Sequence, residues 1–154
     1  MSKFTPNINI TNRRAGFNFF ITDSWEAGII LTGTEIKAIR QGKASLNDAY
    51  CFFKNEDLWV KNLHISEYDD GGYSNHAPKR DRKLLLHRHQ LRKIQSKLKE
   101  KGVTLIPVRL YISDRGFAKL ELGLARGKKL FDKRETIKQA EAKRELGRVM
   151  KRGR

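Results

Sequence analysis

"VTLIPVRLYISDRGFAKLELGLA", Val103–Ala125, is the stretch that decides the fold. Ile106, Val108, Leu110 and Ile112 alternate with Pro107, Arg109 and Tyr111, the period of a strand with one buried face. After a turn at Ser113–Gly116, Ala118, Leu120, Leu122 and Leu124 alternate with Lys119 and Glu121. Two such runs around a Gly-containing turn form an antiparallel hairpin. Proline cannot donate to a ladder, so Pro107 belongs at an edge or a bulge.

Working outward, the same pattern recurs in shorter pieces. "FNFFITDSWEAGIILTG" suggests strands at Phe17–Ile21 and about Ala27–Leu31, joined by an Asp23-Ser24 turn. "AYCFFKNEDLWVKNL" suggests a hairpin turning at Asn55-Glu56-Asp57, with Tyr50, Phe52, Leu58 and Val60 half-buried. "TEIKAIRQG" suits a short helix capped by Thr34 and ended by Gly42. His87, Leu91, Ile94 and Leu98 recur at steps of four, three and four, which predicts a helix over about Leu86–Lys101. Ser66–Arg82 is a long loop, the kind that commonly carries function.

The expected fold is therefore mainly β: an antiparallel barrel of about six strands with two or three flanking helices. The oligonucleotide-binding (OB) barrel is the basic version of that architecture, although periodicity alone does not separate barrel from sandwich. Residues 1–125 form the barrel domain, with 1–11 loose, and 126–154 a basic C-terminal tail. That tail is rich in helix formers, but Leu130, Ile137, Leu146 and Val149 make no continuous stripe. The expectation is a tail disordered when free and helical on a polyanion.

Charge points to that polyanion. The chain holds 33 Lys and Arg against 17 Asp and Glu, a net charge of +16. Lys79–Lys101 carries ten basic residues against two acids, and Arg126–Arg154 twelve against four. These two segments supply the whole excess, the electrostatic footprint of a nucleic-acid binder. Cys51 is the single cysteine, so no disulfide framework or thiolate metal cluster is expected, and no apolar run has membrane-spanning length. A cytoplasmic monomer without cofactor or metal is the expectation. The two rings of His87-Arg88-His89 would face different sides of a helix, Asp69-Asp70-Gly71-Gly72 lacks the further ligands of a calcium loop, and "GKASLND" lacks P-loop context. Enzymatic chemistry is not expected.

Candidate phosphate contacts are Arg13, Arg14, Lys37, Arg40, Lys43, Arg80, Arg82, Lys83, Lys128 and Lys129; Tyr73, His76, His87 and Phe131 offer flat surfaces for bases. With no sequence-reading motif, recognition of RNA shape is the natural inference.

Four strings and their order along the chain then carry a resemblance: "NRRA" (Asn12–Ala15), "EAGIILTGTEIKAIRQG" (Glu26–Gly42), "NHAPKRDRKLLL" (Asn75–Leu86) and "LARGKKLFDKRE" (Leu124–Glu135). Together they resemble small protein B (SmpB), the tmRNA-binding family of bacteria, over nearly the whole chain from about residue 8. The resemblance implies an OB-type barrel that binds the tRNA-like domain of tmRNA. It further implies support of alanyl charging by alanyl-tRNA synthetase, delivery with elongation factor Tu, and occupancy of the A site of stalled ribosomes in trans-translation. A general ribosome-associated OB translation factor is the alternative.

By motif, the resemblance places Glu26, Leu85 and His87 in tmRNA binding, with Asn75, His76 and Lys119 among the RNA-binding candidates. His87 can be Asn in the family, which favours a capping or hydrogen-bonding role. The resemblance places Gly127, Lys128 and Lys129, then Phe131, Asp132, Lys133 and Arg134, at the decoding centre, with Val149 and Met150 as an apolar pair supporting the tail. Some relatives have His where Phe131 stands.

Overall fold

A computed structural model describes residues 8–69, 72, 75–128, 134 and 137–144. In chain order the elements are β1 (Asn9–Thr11), α1 (Ala15–Asn18), β2 (Phe19–Ile29), α2 (Gly33–Arg40), β3 (Ala44–Ser45) and β4 (Tyr50–Lys54). They continue with β5 (Asp57–Lys61), β6 (His64–Ile65), β7 (Arg82–Leu85), α3 (Arg88–Lys97), β8 (Val103–Ile112) and β9 (Ala118–Gly127). Residues 137–144 are also helical.

Strand pairing runs β8-β4-β5-β7-β2-β9 and closes because β9 pairs with β8, giving an antiparallel six-stranded barrel. Closure removes the exposed edges that an open sheet presents. β4 meets β8 only at Cys51–Leu105; β1 takes the rest of that edge, from Arg109 to Tyr111. Leu58, Val60, Leu84, Leu105, Leu110, Leu120 and Leu122 fill the interior, with Ala38 and Ile39 of α2 and Ile94 of α3 packed into the same core.

The long hairpin forms as expected, with one change of phase. The β8–β9 register shifts between Pro107 and Arg109, so Pro107 does stand at a bulge. A bulge moves every later side chain to the opposite face. Leu105 and Leu110 therefore both enter the main core, whereas Ile106, expected on Leu110's face, packs with Ala15 and Ala125 in a second cluster.

Four local expectations are corrected. Asn9–Thr11, expected within a loose 1–11, form β1 and pair with Arg109–Tyr111 of β8. Asp23 and Ser24 are not a turn: β2 is continuous, and a register shift between Ile21 and Asp23 absorbs the irregularity. The α2 cap is Thr32 rather than Thr34, because Glu35 completes a capping box with Thr32. In the β4–β5 hairpin, Asn55 and Glu56 both take positive φ (52° and 70°), a two-residue turn, and Cys51 and Phe53 face inward while Tyr50 and Phe52 face out.

In the tail, Ile137, Ala140, Glu141 and Arg144 share one helical face. That face borders a cleft with Arg13, Gly16 and Phe17 of the α1 region. The sequence pattern left this segment without helix until a polyanion arrives. Over 137–144 the structure holds helix in the chain alone, on a face that mixes apolar and charged residues.

Both bulges converge on Gly123. A Cβ there would lie 2.8 Å from Val108 Cγ2 and 2.9 Å from Ile21 Cγ2. Gly123→Ala is expected to cost about 1–3 kcal/mol by overpacking. Calorimetry would read this as a Tm lower by roughly 2–4 °C per kcal/mol; an unchanged Tm would show that the two side chains give way freely.

Candidate nucleic-acid interface

A groove of about 400 Å³ opens on the barrel wall between β7, β2 and β9, lined by Glu26, Gly28, Leu85, His87, Gln90 and Lys119 among others. Register explains the convergence. Gly28 of β2 pairs with Leu85 of β7 on one side and with Lys119 of β9 on the other. Leu85 is outward-facing and 53% exposed, an apolar group with no core role. Glu26, Leu85, His87 and Lys119, brought together on paper only by resemblance, share one surface.

His87 is the N-cap of α3, with extended backbone (φ −69°, ψ 150°), and its N–H donates to Gln90 Oε1 at 3.0 Å. Because His87 precedes the first helical turn, its ring folds over His89: the rings stack at 5.6 Å and 9°. The expectation that they face different sides is thus corrected. Among the described residues no group of three or more His, Cys, Asp or Glu could hold a metal ion.

Glu26 sits in an electrostatic frame that the sequence did not reveal. Tyr111, paired with Lys119 across β8–β9, has its hydroxyl pushed up to about 12 by burial and by its hydrogen bond to Glu26 and that carboxylate's charge. It therefore stays protonated and donates to Glu26. The Arg109 guanidinium lies 4.1 Å from the Tyr111 ring centre and bridges Glu121 at 3.3 Å. Glu26 is thus a carboxylate held in place by Tyr111 in a groove shared with Lys119, suited to receive N–H donors from a base edge.

The strand that carries Leu85 also anchors, at Arg82, a buried ion cluster. Glu35 is fully enclosed and accepts from Arg82 Nε, from Arg80 Nε at 3.1 Å, and from Thr32 N–H at 2.8 Å. Arg82, also fully buried, donates to the carbonyls of Leu63 at 2.5 Å and Pro78 at 3.2 Å. Burial pushes Glu35 up, but hydrogen bonds from Arg80 and Thr32 and the Arg82 charge outweigh it and hold its carboxyl below the usual range.

Residues 9–152 match the family model described as SmpB protein. The chain belongs to the SmpB family. A relative from Bacteroides thetaiotaomicron, called SsrA-binding protein, is 54% identical over 147 residues, 96% of this chain and 98% of its own. Another of that name, from Arthrobacter sp. strain FB24, is 50% identical over 141 residues, 92% of this chain and 90% of its own. A solved structure described as "tmRNA-SmpB: a journey to the center of the bacterial ribosome" shares 46% identity and superposes with a TM-score of 0.69. That match covers 80% of this chain and 86% of that one.

The SmpB strings divide sharply in the structure. In "NHAPKRDR", Arg82 is a strut and not a phosphate contact, because its guanidinium is spent on Glu35 and backbone carbonyls. His76 is buried and not a stacking surface: its Nε2 faces the Ile65 carbonyl and its Nδ1 the Thr34 hydroxyl, each at 2.9 Å. The carbonyl can only accept, so Nε2–H donates to it. Asn75 holds the loop through Tyr68, donating to its carbonyl at 2.6 Å and accepting from its N–H at 2.9 Å. Arg80 is shared between Glu35 and the surface, its side chain 32% exposed.

Other candidate cations are exposed or half-buried and engaged. Arg14 pairs with Asp48 at 3.4 Å, Lys43 with Asp69 at 3.1 Å and Lys83 with Asp57 at 3.4 Å; Lys37 lies 5.5 Å from the centre of the Tyr68 ring. Arg13 and Arg40 are exposed. Gly127 ends β9, and Lys128 is tied to α1 through its N–H to the Asn18 carbonyl and its Nζ to the Gly16 carbonyl, both at 2.8 Å. Arg134 is helical and exposed. Tyr73, Lys129, Phe131, Asp132, Lys133, Val149 and Met150 lie outside the described residues. Sequence reasoning missed Tyr111, Arg109, Gln90 and Glu35; only Glu35 left a legible signal, the Thr32-x-x-Glu35 capping box.

Removing Glu35 would leave Arg82 charged and buried. Glu35→Gln is expected to destabilise by about 3–5 kcal/mol in urea titration at neutral pH. The Glu35 carboxyl is depressed in the fold, so its contribution is full above about pH 4.3 and is lost as pH falls through its folded value. Acid titration should therefore steepen the loss of stability in the native chain more than in Glu35→Gln.

Proposed function

We propose that the chain binds the tRNA-like domain of tmRNA through the Glu26–Leu85–His87–Lys119 groove and brings it to the A site of stalled ribosomes for trans-translation. The observation that carries this is the convergence of those four residues on one surface of an SmpB-family barrel. The relatives' name, SsrA-binding protein, and the neighbour's description, tmRNA-SmpB in the bacterial ribosome, support it. The role is binding and positioning, without enzymatic chemistry. Elongation factor Tu and alanyl-tRNA synthetase act with it through the bound tmRNA. Its place is the cytoplasm with the ribosome; no helix among the described residues is long and apolar enough to cross a membrane.

Within the groove, Glu26 accepts from base or ribose donors, Leu85 and the His87 ring offer apolar and flat surfaces, and Lys119 meets phosphate. These are features of RNA read by shape and unstacked bases. The tail, from Lys129 on, is the ribosomal element: its charge suits the rRNA walls of the decoding centre and an empty mRNA channel.

Gel-shift titration against the tRNA-like domain should show Glu26→Gln and His87→Ala each weakening binding about tenfold or more, at about 1–3 kcal/mol per lost contact. A generic duplex bound as tightly as the tRNA-like domain at physiological salt would instead favour a general ribosome-associated factor. Truncation after Lys128, which spares the whole of β9, should preserve that binding and abolish peptide tagging. Loss of tmRNA binding would contradict the division of labour.

A further inference from the structure

The groove leaves unused the outer wall formed by β4, β5 and the start of β7. Alternation sends Cys51, Phe53, Leu58 and Val60 inward, and Tyr50, Phe52, Lys54, Trp59 and Lys61 outward. Register aligns the outward set: Tyr50 opposite Lys61, Phe52 opposite Trp59, and Trp59 opposite Lys83. Residues directly opposite share a face and touch. Tyr50 and Phe52 lie 6.4 Å apart at 53°, and none of the three rings belongs to either hydrophobic cluster. Three aromatic residues thus stand among Lys54, Lys61 and Lys83, with Asp57 beside Lys83 and opposite Lys54.

At its Tyr50 end the wall meets a cavity of about 390 Å³, lined by Asn12, Asn18, Phe19, Asn47, Tyr50 and Ile106 among others. Asn12 is 8% exposed and its Nδ2 donates to the Pro107 carbonyl at 3.0 Å. That carbonyl can only accept, which fixes the amide orientation and leaves Oδ1 as an acceptor. Among the described residues, two buried side-chain polar atoms lack a hydrogen-bond partner: Asn12 Oδ1 and Trp59 Nε1. Both belong to this wall and its cavity. An enclosed polar atom without a partner costs free energy that a bound ligand can return.

We propose that this wall is a second RNA site, for unpaired nucleotides: bases stack on Phe52 and Tyr50 between the lysines, and one base enters the Asn12 cavity. Base stacking needs accessible rings, here an exposed Tyr50 beside a half-buried Phe52; phosphates need neighbouring cations, and a terminal base amino group needs an acceptor such as Asn12 Oδ1. Three lysines around only three rings, Lys61 opposite Tyr50, Lys83 opposite Trp59 and Lys54 two residues beyond Phe52, suit a polyanion better than the apolar, charge-depleted centre of a protein partner. The site rests on the RNA-binding reading above but uses none of the groove's residues.

The test uses the full chain, a fluorescein-labelled, unstructured A-rich RNA oligonucleotide, and the isolated tRNA-like domain. Tyr50→Leu and Phe52→Leu keep apolar bulk and remove the flat ring. Each is expected to weaken oligonucleotide binding about five- to a hundred-fold with Tm unchanged. In a Trp25→Phe background, oligonucleotide should quench the remaining Trp59 emission, and Phe52→Leu should shift the quench to higher concentration. Equal oligonucleotide affinity in native and variant chains overturns the platform. So does tRNA-like-domain binding without oligonucleotide binding, which leaves the proposed function standing. Failure to bind either RNA overturns both. Concentration-dependent dimerisation abolished by Phe52→Leu would assign the wall to a second copy and overturn the RNA reading.

Discussion

The buried contact of Glu35 with Arg82 is the constraint on which the surrounding architecture depends. One carboxylate caps α2 through Thr32, neutralises a guanidinium on β7 and takes two further hydrogen bonds from Arg80. The guanidinium in turn collects carbonyls from Leu63 and Pro78, so α2, the segment after β5 and the loop before β7 meet at one point. Charges buried this deeply are tolerated only when paired and fully hydrogen-bonded. The favourable consequence is positional. With Arg82 fixed, Leu84 turns inward and Leu85 outward, and the chain enters α3 at His87 in a set direction.

The barrel contributes a second kind of positioning. Each bulge adds a residue to one strand and turns the next side chains to the other face. The bulges on β2 and β8 face each other across Gly123. Beyond them, Glu26, Glu121 and Arg109 align across three strands, and Lys119 lies beside Tyr111. Functional side chains on the outside and core side chains on the inside are thus set by the same two irregularities. Glu26, Leu85 and Lys119 sit on strands and His87 at the α3 N-cap, which gives the groove a rigid frame.

Much of this was legible in the residues. The β8–β9 hairpin, the bulge at Pro107, the α2 and α3 helices and the antiparallel strands match periodicity and turn chemistry, whereas closure into a barrel instead of a sandwich was not fixed by periodicity. Which basic residues face RNA was much less so. Arg80, Arg82 and Lys83 look alike on paper, yet one is shared, one is a buried strut and one is half-exposed beside Asp57. The difference lies in the position of Glu35, 47 residues before Arg82, a tertiary fact with no local trace. His76 misled for a related reason: an imidazole that satisfies a carbonyl and a hydroxyl reads from sequence like one free to stack. Glu26 and Leu85 carry no chemical signature of their own, and only resemblance singled them out before the groove appeared.

Lys128 hooks the chain to two α1 carbonyls immediately after β9, and β9 is paired along almost its full length with β2 on one side and β8 on the other. Mechanically, this is a shear joint. A pull on the C-terminal segment runs along the strand and loads both ladders in parallel, instead of peeling bonds one by one. Tension arriving at residue 128 is therefore shared by the two ladders together, and the groove beside them is isolated from it.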